Sequence, residues 1–231
     1  MTPKTRDFSQ EAQPILGQCQ RGDLHKMREM IKKVERVFAQ KGYQKRLNSF
    51  YKVENGFYRL INFQKGTYGD YFFINVGVQP IGLPLLRANT LLLPNHPKES
   101  ECVLRERLGK IVEGEKRAIW SRTNNWIGDD IIPYIIDAIP DIEAWLQKWG
   151  SFSTILECSY DEISKKFTVV PILWEKQYLL LKFYCSLQTG NTERTSYYFR
   201  KYHSTTIKDL NFDPIDNYLI ALLTKNHISY T

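Results

Sequence analysis

The sequence is poor in the residues that build metal sites, disulfide frameworks and redox centres. Its 231 residues include four cysteines and four histidines, which are scattered along the chain. No two cysteines form a C-x-x-C pair, which excludes a zinc ribbon and a thioredoxin-like motif and favours free thiols. No histidine stands in the pattern of a metal site or a catalytic triad, and His96, in the stretch LPNHPKES, is typical of a loop residue. We therefore expect no metal and no cofactor.

Long apolar runs and the common catalytic signatures are missing as well. No run of about eighteen apolar residues could span a bilayer, and the polar start of the chain is unlike a secretory signal. The sequence contains no G-x-G-x-x-G, Walker loop, H-E-x-x-H or G-x-S-x-G motif. We therefore expect a cytoplasmic protein without membrane contact. These absences favour a binding protein and leave an enzyme open.

Aromatic residues and positive charge are abundant by comparison. Aromatic residues make up 13% of the chain, and the formal net charge is +7 at pH 7. This charge permits anionic partners without requiring them, because a few net charges also serve solubility. Tyrosine and tryptophan are favoured anchors in protein interfaces.

Apolar periodicity predicts a helix near the start of the chain. Together with the later patterns it divides the chain into an N-terminal arm, a domain and a C-terminal appendage. From residue 24 to 41 apolar residues recur at helical spacing, and Asp23 can cap the start of this helix. The polar residues 1–22 are predicted to form a loose arm. Residues 23–160 are predicted to form an α+β domain, and residues 161–231 a helical appendage packed on it.

Alternating apolar and polar side chains predict a sheet after the first helix. The predicted strands are Asn48–Glu54, Phe57–Lys65, Tyr71–Val78 and Glu101–Gly109. Short turns join the first three, which makes neighbouring strands antiparallel. Residues 79–100 contain four prolines and several leucines, and we expect a long loop that packs on its own domain or on a partner. The predicted fold class is α+β: an N-terminal helix, a four-stranded antiparallel meander with helices on one face, and a helical C-terminal segment.

Proline and capping residues mark the helices of the C-terminal half. Pro140 lies within an apolar-periodic segment and is expected to break or kink it, giving pieces of roughly 130–139 and 140–149. Three further helices are predicted after residue 161, with Thr192 and Asp213 able to cap two of them.

The order of several motifs in the first two-thirds of the chain resembles an uncharacterised family. After the first helix the motifs match at Gly42–Tyr43 with Lys45 and Phe50–Tyr51, Ile61–Lys65, Phe72–Val78 and Arg105–Gly109. Over roughly residues 25–158 this order resembles the family called domain of unknown function 4304. The loop at 79–100 is long for that family, and the helices after residue 160 are extra. The resemblance implies the fold and assigns no chemistry. By analogy with other small uncharacterised bacterial domains, it suggests a partner-binding or immunity-like role.

Amides and guanidinium groups could meet on the second face of the predicted sheet. The side chains that alternate away from the strongly apolar face are those of Asn62, Gln64, Asn75, Arg105 and Arg107. If strand order brings them together, they could hold a carboxylate or phosphate or contact a partner, because guanidinium groups bind such anions bidentately. Alternatively, the arginines pair with Glu101, Glu106 or Asp70, and the amides satisfy backbone groups. Trp120, outside the predicted sheet core, is a further candidate anchor, although core packing explains it equally well.

A basic stripe on the first helix offers a second candidate surface. Arg28, Lys32 and Arg36 recur at four-residue steps and could follow a phosphate backbone, or they could form an ordinary solvated helix face. The function that the sequence favours is non-enzymatic binding, most plausibly of another protein through the leucine-bearing loop and the mixed sheet face. Nucleic-acid binding through the stripe is the first alternative. An enzyme that holds a small anionic substrate with its arginines is the second.

Overall fold

A single antiparallel sheet forms the centre of the computed structural model, which describes residues 13–66, 71–121 and 128–230. The strands are β1 (Gln44–Arg46), β2 (Ser49–Glu54), β3 (Phe57–Lys65), β4 (Phe72–Pro80) and β5 (Leu104–Arg107). They follow one another across the sheet in chain order, each antiparallel to the next. The predicted α+β fold with a meander sheet is confirmed. The predicted strand number is wrong by one, because residues 44–46 also pair with β2 to form a short edge strand.

Helices precede and follow the sheet. Within the described residues they are α1 (Gln13–Gln40), α2 (Leu108–Ile111), α3 (Gly114–Ser121), α4 (Ile132–Trp149), α5 (Phe152–Glu157), α6 (Tyr160–Ser164), α7 (Trp174–Gln188), α8 (Thr192–Ser204) and α9 (Asp213–Lys225). None of these helices has both the length and the apolar character that a bilayer crossing needs.

The first helix is longer than the sequence pattern predicts. It begins at Gln13 rather than at residue 24, so residues 13–22 of the predicted loose arm are helical. Pro14 does not prevent this, because proline is tolerated in the first turn of a helix, where its missing N–H would have no partner. Residues 1–12 of the predicted arm lie outside the described residues.

The fourth helix runs through Pro140 without interruption, so the prediction of two separate pieces is wrong. Pro140 is exposed, and so is Ile136, whose carbonyl loses its helical N–H donor. Water can reach that side of the helix. Buried side chains on both sides of the proline, Ile135 before it and Ile142 and Leu146 after it, pack into the same core and hold the helix together.

One hydrophobic core lies on the side of the sheet that α1 and α4 cover. Phe38 of α1 stacks on Phe50 of β2 with ring centroids 4.5 Å apart, and Phe63 of β3 stacks on Phe72 of β4 at 6.1 Å. Buried residues of α7, α8 and α9 belong to the same continuous cluster. The C-terminal helices therefore share their core with the sheet.

Two buried lysines join α7 to the ends of neighbouring helices. Nζ of Lys176 donates to the carbonyl oxygens of Tyr202 and Thr205 at the end of α8, at 3.0 and 2.9 Å. Nζ of Lys182 donates to the carbonyl oxygen of Leu156 at the end of α5, at 2.9 Å. The last carbonyls of a helix lack internal donors and carry partial negative charge, which suits a buried ammonium. Burial lowers the pKa of both lysines.

The long segment between β4 and β5 covers the second face of the sheet. Buried Cys102 packs with Tyr58 and Leu60 of β3 in a small cluster that is separate from the main core. Gly77 of β4 makes room for this contact, because a Cβ atom there would lie 2.8 Å from Sγ of Cys102 and 2.9 Å from its Cβ. Oγ1 of Thr168 donates to the carbonyl oxygen of Cys102 at 2.8 Å. The end of the loop is therefore fixed between the sheet and the C-terminal half.

Replacing Gly77 with alanine tests this packing. We expect Gly77→Ala to lower the free energy of unfolding by about 1–3 kcal/mol, because the added methyl group overpacks the contact with Cys102. Urea denaturation followed by circular dichroism measures the change. Adding Cys102→Ala removes the Sγ atom and should restore part of the loss, so that the double variant is more stable than the sum of the single effects. Strict additivity would show that the Sγ atom of Cys102 does not contribute to the clash.

Candidate functional site

The strand register brings the predicted amides and arginines onto one face of the sheet. Asn62 pairs with Asn75 across β3 and β4, and Asn75 pairs with Arg107 across β4 and β5. Gln64 and Arg105 lie two residues along the same strands. Side chains of directly paired residues and of residues two apart point to the same face. All five side chains therefore share the face opposite the main core.

Hydrogen bonds hold the three amides in fixed orientations. Nδ2 of Asn75 donates to Oε1 of Gln64 at 2.8 Å, and Nδ2 of Asn62 donates to Oγ of Ser49 at 2.9 Å. Asn75 is 1% exposed, and its Oδ1 is buried without a hydrogen-bond partner. These amides bond to side chains. The alternative from the sequence, that they satisfy backbone groups, does not describe these bonds.

Arg105 is held by an acid that the sequence did not nominate. Its Nε donates to Oε1 of Glu99 in a short ion pair, and Glu99 is 6% exposed. The partner in this ion pair is therefore Glu99 and not Glu101 or Glu106, whereas Asp70 lies outside the described residues. Burial lowers the pKa of Arg105, but a guanidinium remains protonated in proteins.

Arg107 does not join Arg105 in a common anion site. It is exposed, and its guanidinium carbon lies 3.8 Å from the ring centroid of Phe73, in a cation–π contact. The predicted arrangement of two free guanidinium groups is therefore not formed. The guanidinium of Arg105 forms an ion pair with Glu99, and that of Arg107 lies over the ring of Phe73.

A cleft of about 620 Å³ opens on this face between the β1–β2 turn and the loop that precedes β5. This volume is in the usual range for small-molecule sites. The residues that line it include the aromatic Tyr51, Tyr58 and His96 and the polar or charged Arg46, Ser49, Asn62, Gln64, Lys98, Glu101 and Arg105. Three of the predicted site residues, Asn62, Gln64 and Arg105, thus line the cleft. Asn75 does not line it, but its side chain holds that of Gln64 from the neighbouring strand.

His96 occupies a place in the cleft that its sequence context did not reveal. Its ring centroid lies 5.8 Å from that of Tyr51 and 6.1 Å from that of Tyr58. Its φ angle is 61°, a left-handed conformation that is uncommon outside glycine and is further disfavoured before a proline, here Pro97. Asn95 helps to hold this turn, because its Oδ1 accepts a hydrogen bond from the hydroxyl of Tyr58 at 3.3 Å. Strained backbone of this kind clusters at functional sites.

Trp120 does not belong to this face, and its predicted place in the site is corrected. It is 4% exposed, and its ring meets that of Phe72 edge-on in the main core, with centroids 6.3 Å apart. Core packing, the other explanation that the sequence allowed, accounts for this residue.

Arg59 is a buried charge on the face that sequence alternation marks as apolar. It is 4% exposed and forms an ion pair with Glu54, and its Nη2 donates to the carbonyl oxygen of Gly150 at 3.4 Å. Lys52 and Arg59 lower the pKa of Glu54. A second, more open cleft of about 730 Å³ lies beside Arg59. Because Glu54 already neutralises Arg59, we assign this pair to packing between the sheet and the end of α4.

The predicted basic stripe is exposed along α1. Arg28, Lys32 and Arg36 all face solvent. Nζ of Lys32 pairs with Glu29 at 2.6 Å, so an acid on the same helix offsets part of the charge. Nucleic-acid binding through this stripe stays a prediction.

The described residues do not gather a set of metal ligands. Within 13–66, 71–121 and 128–230, no group of three or more histidine, cysteine or acidic side chains is placed to hold a metal ion. Burial raises the pKa of the Cys102 thiol, which keeps it protonated and unreactive. The cleft offers ring surfaces, amides, cations and the carboxylates of Glu99 and Glu101.

Comparison with known proteins identifies the region that contains the cleft. Residues 34–148 match the model of the family described as Domain of unknown function (DUF4304). The DUF4304 family is therefore shown for this region of the chain. The match covers the sheet, the cleft and nearly all of α4, and it confirms the resemblance seen in the motifs. No curated protein and no solved structure matches the chain.

Neutralising Glu99 tests the ion pair that fixes the cleft wall. We expect Glu99→Gln to lower the free energy of unfolding by about 2–3 kcal/mol, because it leaves the guanidinium of Arg105 partly buried without its counter-charge. Urea denaturation at pH 7 measures the loss. The matched control is Glu29→Gln, which breaks an exposed pair on α1 and should leave the denaturation midpoint unchanged. Equal midpoints for Glu99→Gln and the wild type would contradict this role.

Proposed function

We propose that this protein is a non-enzymatic binding module for another protein, and that the loop between β4 and β5 makes the main contact. The observation that carries the proposal is a ridge of three consecutive leucines, Leu91, Leu92 and Leu93, which are 36%, 36% and 46% exposed. Single exposed leucines are common on protein surfaces, but consecutive ones form a patch that favours association.

The leucine ridge sits on an ordered hairpin. The N–H of Leu85 donates to the carbonyl oxygen of Leu92 at 2.9 Å, and the N–H of Asn89 donates to the carbonyl oxygen of Asn211 at 2.7 Å. Leu83 and Leu86, earlier in the same loop, are buried in the main core. A contact surface that is ordered before binding loses less conformational entropy when the partner arrives. The loop therefore has both the anchors and the exposed side chains of a docking element.

The charges around the leucine ridge indicate the chemistry of the partner. Residues 79–98 contain Arg87 and Lys98 and no acidic residue. Both cationic side chains are exposed. A partner surface with an apolar centre and an acidic rim would complement this segment, because opposite charges steer association and fix its orientation. An immunity-like role, in which binding blocks the partner's activity, is one form of this function.

Purification of tagged variants from the native host tests the proposal. We expect a stoichiometric protein to accompany the wild type both with and without nuclease, and to be lost from Leu93→Asp. An aspartate in an apolar contact with an acidic rim should weaken binding at least about tenfold. The matched control is Ile136→Asp, a residue of similar exposure (42%) on the outer side of α4, which should retain the partner. Mass spectrometry identifies and quantifies the bound proteins.

Three results would overturn the proposal. Equal recovery of the partner with Leu93→Asp and the wild type would remove the ridge from the interface. Proteins that disappear after nuclease treatment would point to nucleic acid and to the stripe on α1. The absence of any stoichiometric protein would leave the module without a protein partner in its host.

A further inference from the structure

One wall of the cleft presents aromatic rings whose polar atoms are already used. The hydroxyl of Tyr51 donates to Oε1 of Gln44 at 2.6 Å, and that of Tyr58 donates to Oδ1 of Asn95 at 3.3 Å. His96 contacts both rings. The two hydroxyl bonds restrain the tyrosines, so this wall offers ring surface to a planar group. Stacking on such side chains tolerates different bases, because every base has a π-face.

The floor of the cleft presents two oriented amides from β3. Asn62 and Gln64 lie two residues apart on the same face, which separates their Cα atoms by roughly 7 Å. Oε1 of Gln64 accepts a hydrogen bond from buried Asn75, which fixes the amide so that Nε2 of Gln64 can donate to a ligand. Nδ2 of Asn62 donates to Oγ of Ser49, so Oδ1 of Asn62 can accept a hydrogen bond from a ligand. Fixed donors and acceptors of this kind match the edge of a heterocyclic base, which asparagine and glutamine amides recognise.

Two exposed cations are among the residues that line the same cleft. Arg46 lies in the β1–β2 turn region and Lys98 in the loop before β5, and both side chains are exposed. In the part of the chain that the structure describes, no acidic side chain forms an ion pair with either of them, in contrast to Arg105. Arginine and lysine are the usual phosphate ligands, so these two cations favour an anionic group, although the carboxylate of Glu101 also lines the cleft.

The strand register relates the arginine to the amides. Arg46 pairs with Ser49, and Ser49 pairs with Asn62, so the three residues form a row across β1, β2 and β3. Two strand spacings of roughly 4.8 Å separate the Cα atoms of Arg46 and Asn62. A ligand whose base edge meets the amides can therefore extend its charged end along this row to the arginine.

We propose that this cleft binds a nucleoside monophosphate, with the base against the aromatic wall, the base edge on the amides of β3, and the phosphate between Arg46 and Lys98. The volume of about 620 Å³ has room for a ligand of this class. The left-handed backbone at His96 places its ring beside the two tyrosines, where the ring adds to the surface on which the base stacks. This small-molecule site does not include the leucine ridge and does not depend on the proposed protein partner, although Lys98 borders both surfaces.

Isothermal titration calorimetry of the full-length protein tests the site. The probes are AMP, GMP, CMP and UMP, with the corresponding nucleosides and inorganic phosphate as partial ligands. We expect at least one monophosphate to bind with one-to-one stoichiometry, and its nucleoside and inorganic phosphate each to bind at least about tenfold more weakly, because each lacks one of the two recognised parts.

Charge variants assign the binding to the cleft. We expect Arg46→Gln with Lys98→Gln to raise the dissociation constant for that monophosphate at least about tenfold. Gln64→Glu should also weaken it, because a carboxylate replaces the donor and repels the phosphate. The matched control is Lys110→Gln, an exposed lysine on α2 outside the cleft, which should bind as the wild type does. Thermal unfolding by circular dichroism checks that each variant is folded.

The outcomes separate this site from its alternatives. Failure of all four monophosphates to bind, or wild-type affinity in the folded double variant, overturns the proposal. Inorganic phosphate that binds as tightly as the monophosphate reduces the cleft to a simple anion site and also overturns it. Binding of single-stranded RNA without binding of any monophosphate would assign the surface to a polymer. Leu93→Asp should bind the nucleotide normally, so the loss of a protein partner and the loss of this ligand are distinguishable.

Discussion

The burial of β3 and β4 on both faces is the constraint on which the rest of the structure depends. Fourteen of the eighteen residues of these two strands are buried, because α1 and α4 cover one face and the loop before β5 covers much of the other. Burying a polar side chain costs free energy unless it has a partner, and two buried ones here each have at least one: Asn75 bonds to Gln64, and Arg59 pairs with Glu54. The cleft opens where this covering stops, towards β1 and β2.

Two local contacts turn the covering loop into a defined wall. The ion pair of Arg105 and Glu99 fixes it electrostatically, and the small side chain of Gly77 lets Cys102 pack closely on the sheet. A loop fixed in this way can present one part of its length to the cleft and another part to solvent. The aromatic wall at His96 and the leucine ridge follow from the same anchoring, although the two surfaces are proposed to bind different kinds of partner.

The helices beyond the family match support the loop from the other end. Tyr184 of α7 donates its hydroxyl to the carbonyl oxygen of Ile81 in a short hydrogen bond, and Tyr218 of α9 donates to that of Gly82 at 2.9 Å. The helices that hold the loop come after residue 148, where the family match ends. The C-terminal helices thus stabilise this loop. The buried lysines of α7 join it to α8 and α5, and the apolar residues of these helices share one core with the sheet.

The sequence by itself determined the α+β class and the antiparallel pairing of its first three predicted strands, because strand alternation and short turns are local properties of the chain. That the amides and arginines share one face was conditional on strand order, which the register across β3, β4 and β5 decides. It also indicated the family, whose motifs lie within the sheet. Only the tertiary structure decided which groups meet across the fold: Glu99 with Arg105, His96 with two tyrosines, and Trp120 with the main core. These contacts join segments whose spacing along the chain carries no periodic signal. The unbroken helix through Pro140 was decided in the same way, because packing of both its halves into one core outweighs the local preference of proline.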